Sequence, residues 1–144
     1  MLTHQIPFRV YMADTDASSW IHFAAVMRYF EEAEFTMLKT IGLTYHSMDK
    51  LGFQMPRRHL TSEYHLPLQI DDEGIVDVTV AEVGNSSVRF AFKLTLHGLD
   101  KPHVEGQYTG VCVDMKSGMP IRVPDDVRAA LCGEIPFVER VNDK

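Results

Sequence analysis

Residues 14–23 read DTDASSWIHF, and the rest of the chain is organised around this stretch. It is a short acidic turn with two carboxylates and a histidine, and no proline separates it from the segment 24–42. Apolar residues recur in that segment at steps of three and four, which predicts one long helix with a buried face, ended by Gly42 as a left-handed cap. The turn therefore brings its charged side chains to a helix beginning, where unpaired N–H groups and the positive end of the helix dipole favour developing negative charge.

The composition is that of an ordinary soluble globular protein. The 144 residues are 45% hydrophobic and 24% charged, and no apolar run is long enough to span a membrane. We expect one domain over residues 1–144, and a cytoplasmic location because residues 1–5 lack a signal-peptide pattern. Cys112 and Cys132 have no partner at metal-ligand spacing, so neither a metal site nor a disulfide is predicted. The net charge of −6 without a basic stripe argues against a nucleic-acid partner.

Alternating and β-rich segments predict the other elements. They are a strand over 4–12 with Pro7 indicating a sheet edge, a short helix from Thr44 to Leu51, strands over 57–66, 74–83, 88–97 and 104–115, and a terminal helix over 124–131. This order predicts an α+β fold in which an antiparallel sheet wraps the long helix. We interpret Val76, Val78 and Val80 as outward-facing, so that either a second copy covers them or they pack under the terminal helix.

The element order and the wording of the first turn resemble the hot-dog fold, specifically the 4-hydroxybenzoyl-CoA thioesterase family of acyl-CoA hydrolases. The matching residues are Asp-Thr-Asp-Ala at 14–17, Ile21, Ala24 and Arg-Tyr-Phe-Glu-Glu-Ala at 28–33, with weaker similarity over most of the remaining chain. The resemblance implies a thioesterase with no metal and no cofactor beyond the coenzyme A of its substrate. It also implies a homodimer or homotetramer with each site at a subunit interface.

Two catalytic roles follow from the resemblance and agree with the residue chemistry. The family's catalytic carboxylate falls on Asp16, and its oxyanion-binding backbone N–H falls on Phe23. A carboxylate can attack a thioester carbonyl or take a proton from water, and a helix N-terminus can hold the oxyanion without a side chain. The sequence does not decide between nucleophile and general base. His22 is a further catalytic candidate, with a packed or capping role as its alternative, and Asp14 is expected to be structural.

Candidates for substrate binding are Trp20, Ser19, Asn85, Ser87 and Arg57. Trp20 is expected to place a large ring beside the thioester, and Ser19 stands where family members often have glycine, whose backbone geometry it has to adopt. The loop holding Asn85 and Ser87 corresponds to one that binds the pantetheine arm in the family, with ordinary hairpin chemistry as the alternative. The basic run that contacts the nucleotide in some relatives is absent, which leaves Arg57, Arg58 and Arg89 as candidates for that contact.

The sequence leaves open the roles of the helix glutamates and two alternative functions. Glu31 matches the family and is a candidate to brace the turn, whereas Glu32 and Glu34 are interpreted as part of a solvated helix face. A hot-dog module that binds an acyl group or a protein without hydrolysis is the alternative function. A third is dehydratase chemistry, for which His22 and Glu31 form a poor version of the required pair.

Overall fold

The computed structural model of the chain describes residues 1–134. Its α-helices and strands are, in chain order, β1 (Thr3–Arg9), α1 (Ala25–Thr40), α2 (Tyr45–Lys50), β2 (Phe53–Gln54), β3 (Arg57–Tyr64), β4 (Glu73–Val83), β5 (Ser87–Leu96), β6 (Val104–Val111), β7 (Val113–Asp114) and α3 (Asp125–Leu131). A 3₁₀ turn, Met12–Asp14, stands where the first strand was predicted to end, so that strand is shorter than expected. In this part of the chain β1, β4, β5, β6 and β3 form one antiparallel sheet in that order, and β2 pairs with β7. The predicted α+β hot-dog architecture is confirmed, since α1 packs on the inner face of this sheet.

Helix α1 lies within the predicted segment 24–42 and buries its apolar face, but this face also contains Glu34, which was expected to be solvated. Its buried stripe consists of Val26, Tyr29, Phe30, Ala33, Glu34, Met37 and Leu38. Gly42 follows with φ of 77°, which is the left-handed conformation expected after a helix end. Thr44 then caps α2 by accepting a hydrogen bond from the Ser47 amide at 3.1 Å.

The valines of β4 form the inner face of the sheet. Val76, Val78 and Val80 are all fully buried, while Asp77 and Thr79 alternate with them on the other face. The interpretation of the valines as outward-facing was therefore wrong. Helix α1 packs against β4, and α3 also contacts this strand, so no second copy is needed to cover it. Both faces of the strand carry apolar residues, and the alternation alone does not say which face is inside.

The two edges of the sheet differ in character. β1 forms one edge, as Pro7 predicts. β3 forms the other and pairs only with β6 among the described strands. All of β3 is exposed except the half-buried Ser62, and the exposed residues include Leu60 and Tyr64 at 48% and 43%. An unpaired edge with exposed apolar side chains is a surface that another strand can join.

Within residues 1–134, no helix is both long enough and apolar enough to cross a membrane.

Candidate active site

The acidic turn folds as a small hairpin in front of α1. The Asp16 amide donates to the Trp20 carbonyl at 3.1 Å, and the His22 amide donates to the Asp14 carbonyl at 2.7 Å. These two bonds join the two arms of the hairpin and so hold its backbone in one conformation.

Ser19 occupies the strained position of this hairpin. Its φ is 71°, and it is one of two non-glycine residues with positive φ in the described chain, the other being Asp71. A left-handed conformation costs an L-residue about 1–2 kcal/mol and costs glycine almost nothing. The expectation that Ser19 holds a glycine-like geometry is confirmed, whereas its contact with substrate stays a prediction.

Asp14 is the structural aspartate of the pair. Its side chain is 4% exposed and accepts hydrogen bonds from the Tyr29 hydroxyl at 2.6 Å, from the Tyr11 amide at 2.9 Å and from the Arg28 guanidinium. Burial alone raises the pKa of Asp14, but these three hydrogen bonds outweigh burial and leave the pKa below its ordinary value. The carboxylate therefore ties the turn to α1 and is not free to meet a substrate.

Asp16 is in the opposite situation, with its carboxylate on the surface of the single chain. It accepts hydrogen bonds from the Ser18 amide at 2.8 Å and from the Ser18 hydroxyl. The hydroxyl bond, followed by the amide bond, lowers the pKa of Asp16, so the group is ionised at neutral pH. Asp16 does not line the surface cavity at the Arg57 end of β3 that is described below.

The start of α1 is held by His22 and by β3. The Ala24 amide donates to Nδ1 of His22 at 3.1 Å, which is a capping interaction, and the imidazole stacks on the Phe23 ring with centroids 4.7 Å apart. The Tyr64 hydroxyl donates to the Phe23 carbonyl at 2.6 Å. The Phe23 amide itself has no hydrogen-bond acceptor within residues 1–134, so it is one of the unpaired donors that a helix beginning provides.

Arg57 belongs to a cluster that the sequence analysis missed. Its guanidinium lies 2.8 Å from the Glu34 carboxylate and 3.2 Å from the Tyr108 hydroxyl, and it lies over the Tyr108 ring at 4.1 Å from the centroid. Glu34 is 4% exposed, so its interpretation as part of a solvated helix face was wrong. Burial raises the pKa of Glu34 despite its partners. The spacing held a signal for this burial, because Glu34 lies four residues after buried Phe30.

Asn85 lies in the turn between β4 and β5, and Ser87 is the first residue of β5. The Asn85 side-chain oxygen accepts a hydrogen bond from Arg122 at 3.1 Å, and Arg128 donates to the Asn85 carbonyl at 3.2 Å. The Ser87 carbonyl accepts from the Gly84 amide at 2.7 Å, which is ordinary hairpin chemistry. Contact of either residue with pantetheine stays a prediction. Arg122 also lies 3.5 Å from the Asp125 carboxylate, so the contacts of the two arginines tie this loop to α3 and to the segment that leads into it.

The candidate residues thus form two groups at opposite ends of β3. The hairpin group lies at the Tyr64 end, where the Ile21 amide donates to the Leu68 carbonyl at 2.7 Å and Trp20 forms a bridge with Gln69. The second group lies at the Arg57 end, where Arg57 and Ser87 flank neighbouring residues of β6. Seven strand steps separate Arg57 from Tyr64, or about 23 Å. Within one chain these two groups do not meet.

Comparison with known proteins assigns the family. Residues 10–131, which include the hairpin and all of α1, match the model of the thioesterase-like superfamily. The chain belongs to this superfamily. It is 28% identical over 127 residues to the acyl-CoA thioesterase YbgC of Haemophilus influenzae, covering 86% of this chain and 90% of the relative. It is 25% identical over 125 residues to the acyl-CoA thioester hydrolase YbgC of Shigella flexneri, covering 85% and 91%.

Solved structures show the same fold. A 1,4-dihydroxy-2-naphthoyl-CoA thioesterase from Synechocystis superposes with a TM-score of 0.83 at 20% identity, covering 90% of this chain and 96% of that one. At this identity the likeness concerns the fold, and it agrees with the hot-dog architecture built from the helix and sheet above.

Proposed function

We propose that this member of the thioesterase-like superfamily hydrolyses acyl-CoA thioesters to the free acid and coenzyme A. The observation that carries the proposal is the pair of environments in the hairpin. The carboxylate of Asp14 is buried and fully engaged in hydrogen bonds within the chain. The carboxylate of Asp16 is ionised and exposed to solvent. The same loop leads into the start of α1, where the Phe23 amide has no acceptor within residues 1–134. The similarity to acyl-CoA thioesterases over most of the chain supports the same reaction.

In the proposed reaction, the Phe23 amide and the positive end of α1 stabilise the negative charge that develops on the thioester oxygen. Asp16 acts in one of two ways. As a general base it takes a proton from water, whose oxygen bonds to the carbonyl carbon while the carbon–sulfur bond breaks and the thiolate leaves. As a nucleophile it bonds to that carbon itself while the carbon–sulfur bond breaks and the thiolate leaves. Water then hydrolyses the resulting mixed anhydride, which releases the free acid and restores the Asp16 carboxylate. His22 caps the helix start through Nδ1, and its role in the proposed reaction would fall to Nε2.

The proposal includes a dimer formed through the β3 edge. Leu60 and Tyr64 on the strand, Phe23 at the helix start and Leu66 after the strand are all more than 40% exposed in the single chain. Antiparallel pairing of two β3 strands about a two-fold axis at their middle covers these side chains. It also brings Arg57 of one chain opposite Tyr64 of the other. The two groups of candidate residues, which are far apart in one chain, then form one composite site.

A panel of acyl-CoA esters, with released thiol detected by a disulfide reagent, tests the activity. We expect hydrolysis of at least one ester by the wild-type protein. Asp16→Asn should lower kcat by about 10²–10⁴-fold without loss of folded protein. Asp100→Asn, in the exposed turn between β5 and β6, is the matched control and should retain full activity. Absence of coenzyme A release from every ester, or full activity of the Asp16→Asn variant, would contradict the proposal.

The alternative is a module that binds an acyl group without hydrolysing it. The observation favouring it is the Ser18 hydrogen-bond pair on the Asp16 carboxylate, because an aspartate that only shapes its own turn makes the same bonds. Calorimetric binding of an acyl-CoA with no thiol release over hours would select this alternative.

A further inference from the structure

A second feature of the chain lies at the Arg57 end of β3. It is a surface cavity of about 390 Å³ between the second half of α1, α2 and the strand β7. Its apolar lining includes Phe35, Leu38, Tyr45, Met48, Met55 and Met115. Three of these six side chains are methionines, which are unbranched and adapt to the shape of what they contact. A cavity with such walls suits a flexible apolar group.

The charged and amide side chains that line this cavity already have protein partners. Glu34 and Arg57 are paired with each other at 2.8 Å, and the Gln54 side-chain amide donates to the Tyr45 carbonyl at 3.2 Å. The rest of the lining is mostly carbon and sulfur, so a ligand hydroxyl or carboxylate that leaves water for this cavity finds few groups to bond. A hydrocarbon chain meets no such cost and removes apolar surface from water.

The cavity is too far from the Phe23 amide of its own chain to hold the acyl group of a thioester bound there, but it can lie close to the Phe23 amide of a partner chain. Phe35 lies twelve residues after Phe23, so the cavity of the same chain is about 18 Å along α1 from the Phe23 amide. The β3 pairing proposed above brings the Arg57 end of one chain to the Tyr64 end of the other, where Tyr64 holds the Phe23 carbonyl. The partner's cavity then lies beside the helix start.

We propose that this cavity is the acyl subsite, that it takes a straight aliphatic chain, and that it serves the Asp16 of the partner chain. The inference rests on the proposed thioesterase function and on its dimer. It names the substrate class as aliphatic acyl-CoA esters rather than hydroxylated aromatic ones.

The chain-length dependence of hydrolysis tests the substrate class. With acetyl-, hexanoyl-, octanoyl- and decanoyl-CoA, kcat/KM should rise about four-fold for each methylene that enters the cavity, and 4-hydroxybenzoyl-CoA should be a poorer substrate than octanoyl-CoA. Met55→Trp and Met115→Trp fill the cavity from two sides, and Met115 is 47% exposed, so the fold should tolerate its replacement. Each should lower the ratio of decanoyl to acetyl kcat/KM at least ten-fold. Leu99→Trp, in the exposed turn after β5, should leave the ratio unchanged.

A heterodimer of two different variants tests whether the cavity of one chain serves the Asp16 of the other chain. Asp16→Asn and Met115→Trp chains, co-expressed with different affinity tags and purified through both, contain one site with an intact Asp16 and an intact partner cavity. We expect about half of the wild-type rate with decanoyl-CoA, although each homodimer is slow. If the cavity served the Asp16 of its own chain, the heterodimer would be as slow as the homodimers.

The outcomes separate this inference from the proposed function. Unchanged decanoyl hydrolysis in both tryptophan variants, a preference for 4-hydroxybenzoyl-CoA, or a slow heterodimer would overturn the inference while hydrolysis itself stands. If the wild-type protein hydrolysed none of the acyl-CoA esters, the proposed function itself would be overturned.

Discussion

Replacing each aspartate of the hairpin by asparagine should have different effects: Asp14→Asn should mainly lower stability, and Asp16→Asn should mainly lower activity. In Asp14→Asn the buried Tyr29 bond changes from a charged to a neutral acceptor, which costs about 1 kcal/mol. The Tyr11 amide donates to the same oxygen, Oδ2, so its bond also changes to a neutral acceptor at a cost of about 1 kcal/mol. The new side-chain NH₂ takes the Oδ1 position and faces Arg28. Loss of the Arg28 pair adds less than about 1 kcal/mol, because the Arg28 side chain is 56% exposed. We therefore expect the free energy of unfolding to fall by about 2–3 kcal/mol.

In Asp16→Asn the free energy of unfolding should change by less than about 0.5 kcal/mol. The residue is exposed, and asparagine makes the same turn bonds to Ser18 that aspartate makes. Activity should show the reverse order, with Asp16→Asn inactive and the folded fraction of Asp14→Asn still hydrolysing substrate.

Urea unfolding at one fixed protein concentration measures both variants, since a dimer's stability depends on concentration. The pH dependence gives a second check. The pKa of Asp14 is lower in the folded chain than in the unfolded chain, so its contribution is present above the unfolded value of about 3.9 and is lost as the pH falls through the folded value. The gap between wild type and Asp14→Asn should therefore close in strong acid. A loss below 1 kcal/mol in Asp14→Asn, or equal losses in both variants, would refute the reasoning.

Four further substitutions test other parts of the structure. Ser19→Gly should raise the free energy of unfolding by about 0.5–1 kcal/mol in urea titration, because φ at this position is 71°. Arg57→Ala should lower it by about 2–3 kcal/mol at pH 7 by leaving the buried Glu34 carboxylate unpaired. Glu34→Gln should change the free energy of unfolding by less than about 1 kcal/mol. Because the pKa of Glu34 is raised in the folded chain, wild-type stability declines as the pH rises through that pKa, and this decline should be weaker in Glu34→Gln. Tyr64→Phe should lower kcat several-fold with a stability loss below about 1 kcal/mol, measured by thiol release and urea titration, because it frees the Phe23 carbonyl at the helix start.

The sequence predicts the elements of this fold well because their signals are local. The three- and four-residue spacing of α1, the glycine at 42 and the Thr44 cap each depend on a few neighbouring residues, and all three occur as expected. The order of strands in the sheet is different, because it depends on partners far along the chain. The two-residue strands β2 and β7 are too short to give any alternation, and the long strand predicted over 104–115 is divided at Cys112.

The site shows the same limit. The sequence marks both aspartates of the hairpin and the helix start, and the family resemblance distinguishes the role of Asp16 from that of Asp14. It does not show that Arg57 is paired with a buried glutamate, because that pair joins residues 23 positions apart. Nor does it show that the candidate residues divide between the two ends of β3, which becomes visible only once the strand pairing is known.

The unlike flanks of the sheet set a limit on how far this protein can assemble. At the β1 flank, Pro7 has no backbone N–H to offer an incoming strand, and Arg9 is held by Glu73. Of the two flanks that this sheet has in residues 1–134, the β3 flank is the better suited to strand addition, and in the proposed pairing a two-fold partner occupies it. In that pairing, growth by strand addition therefore stops at two copies, and a tetramer would have to use some other surface.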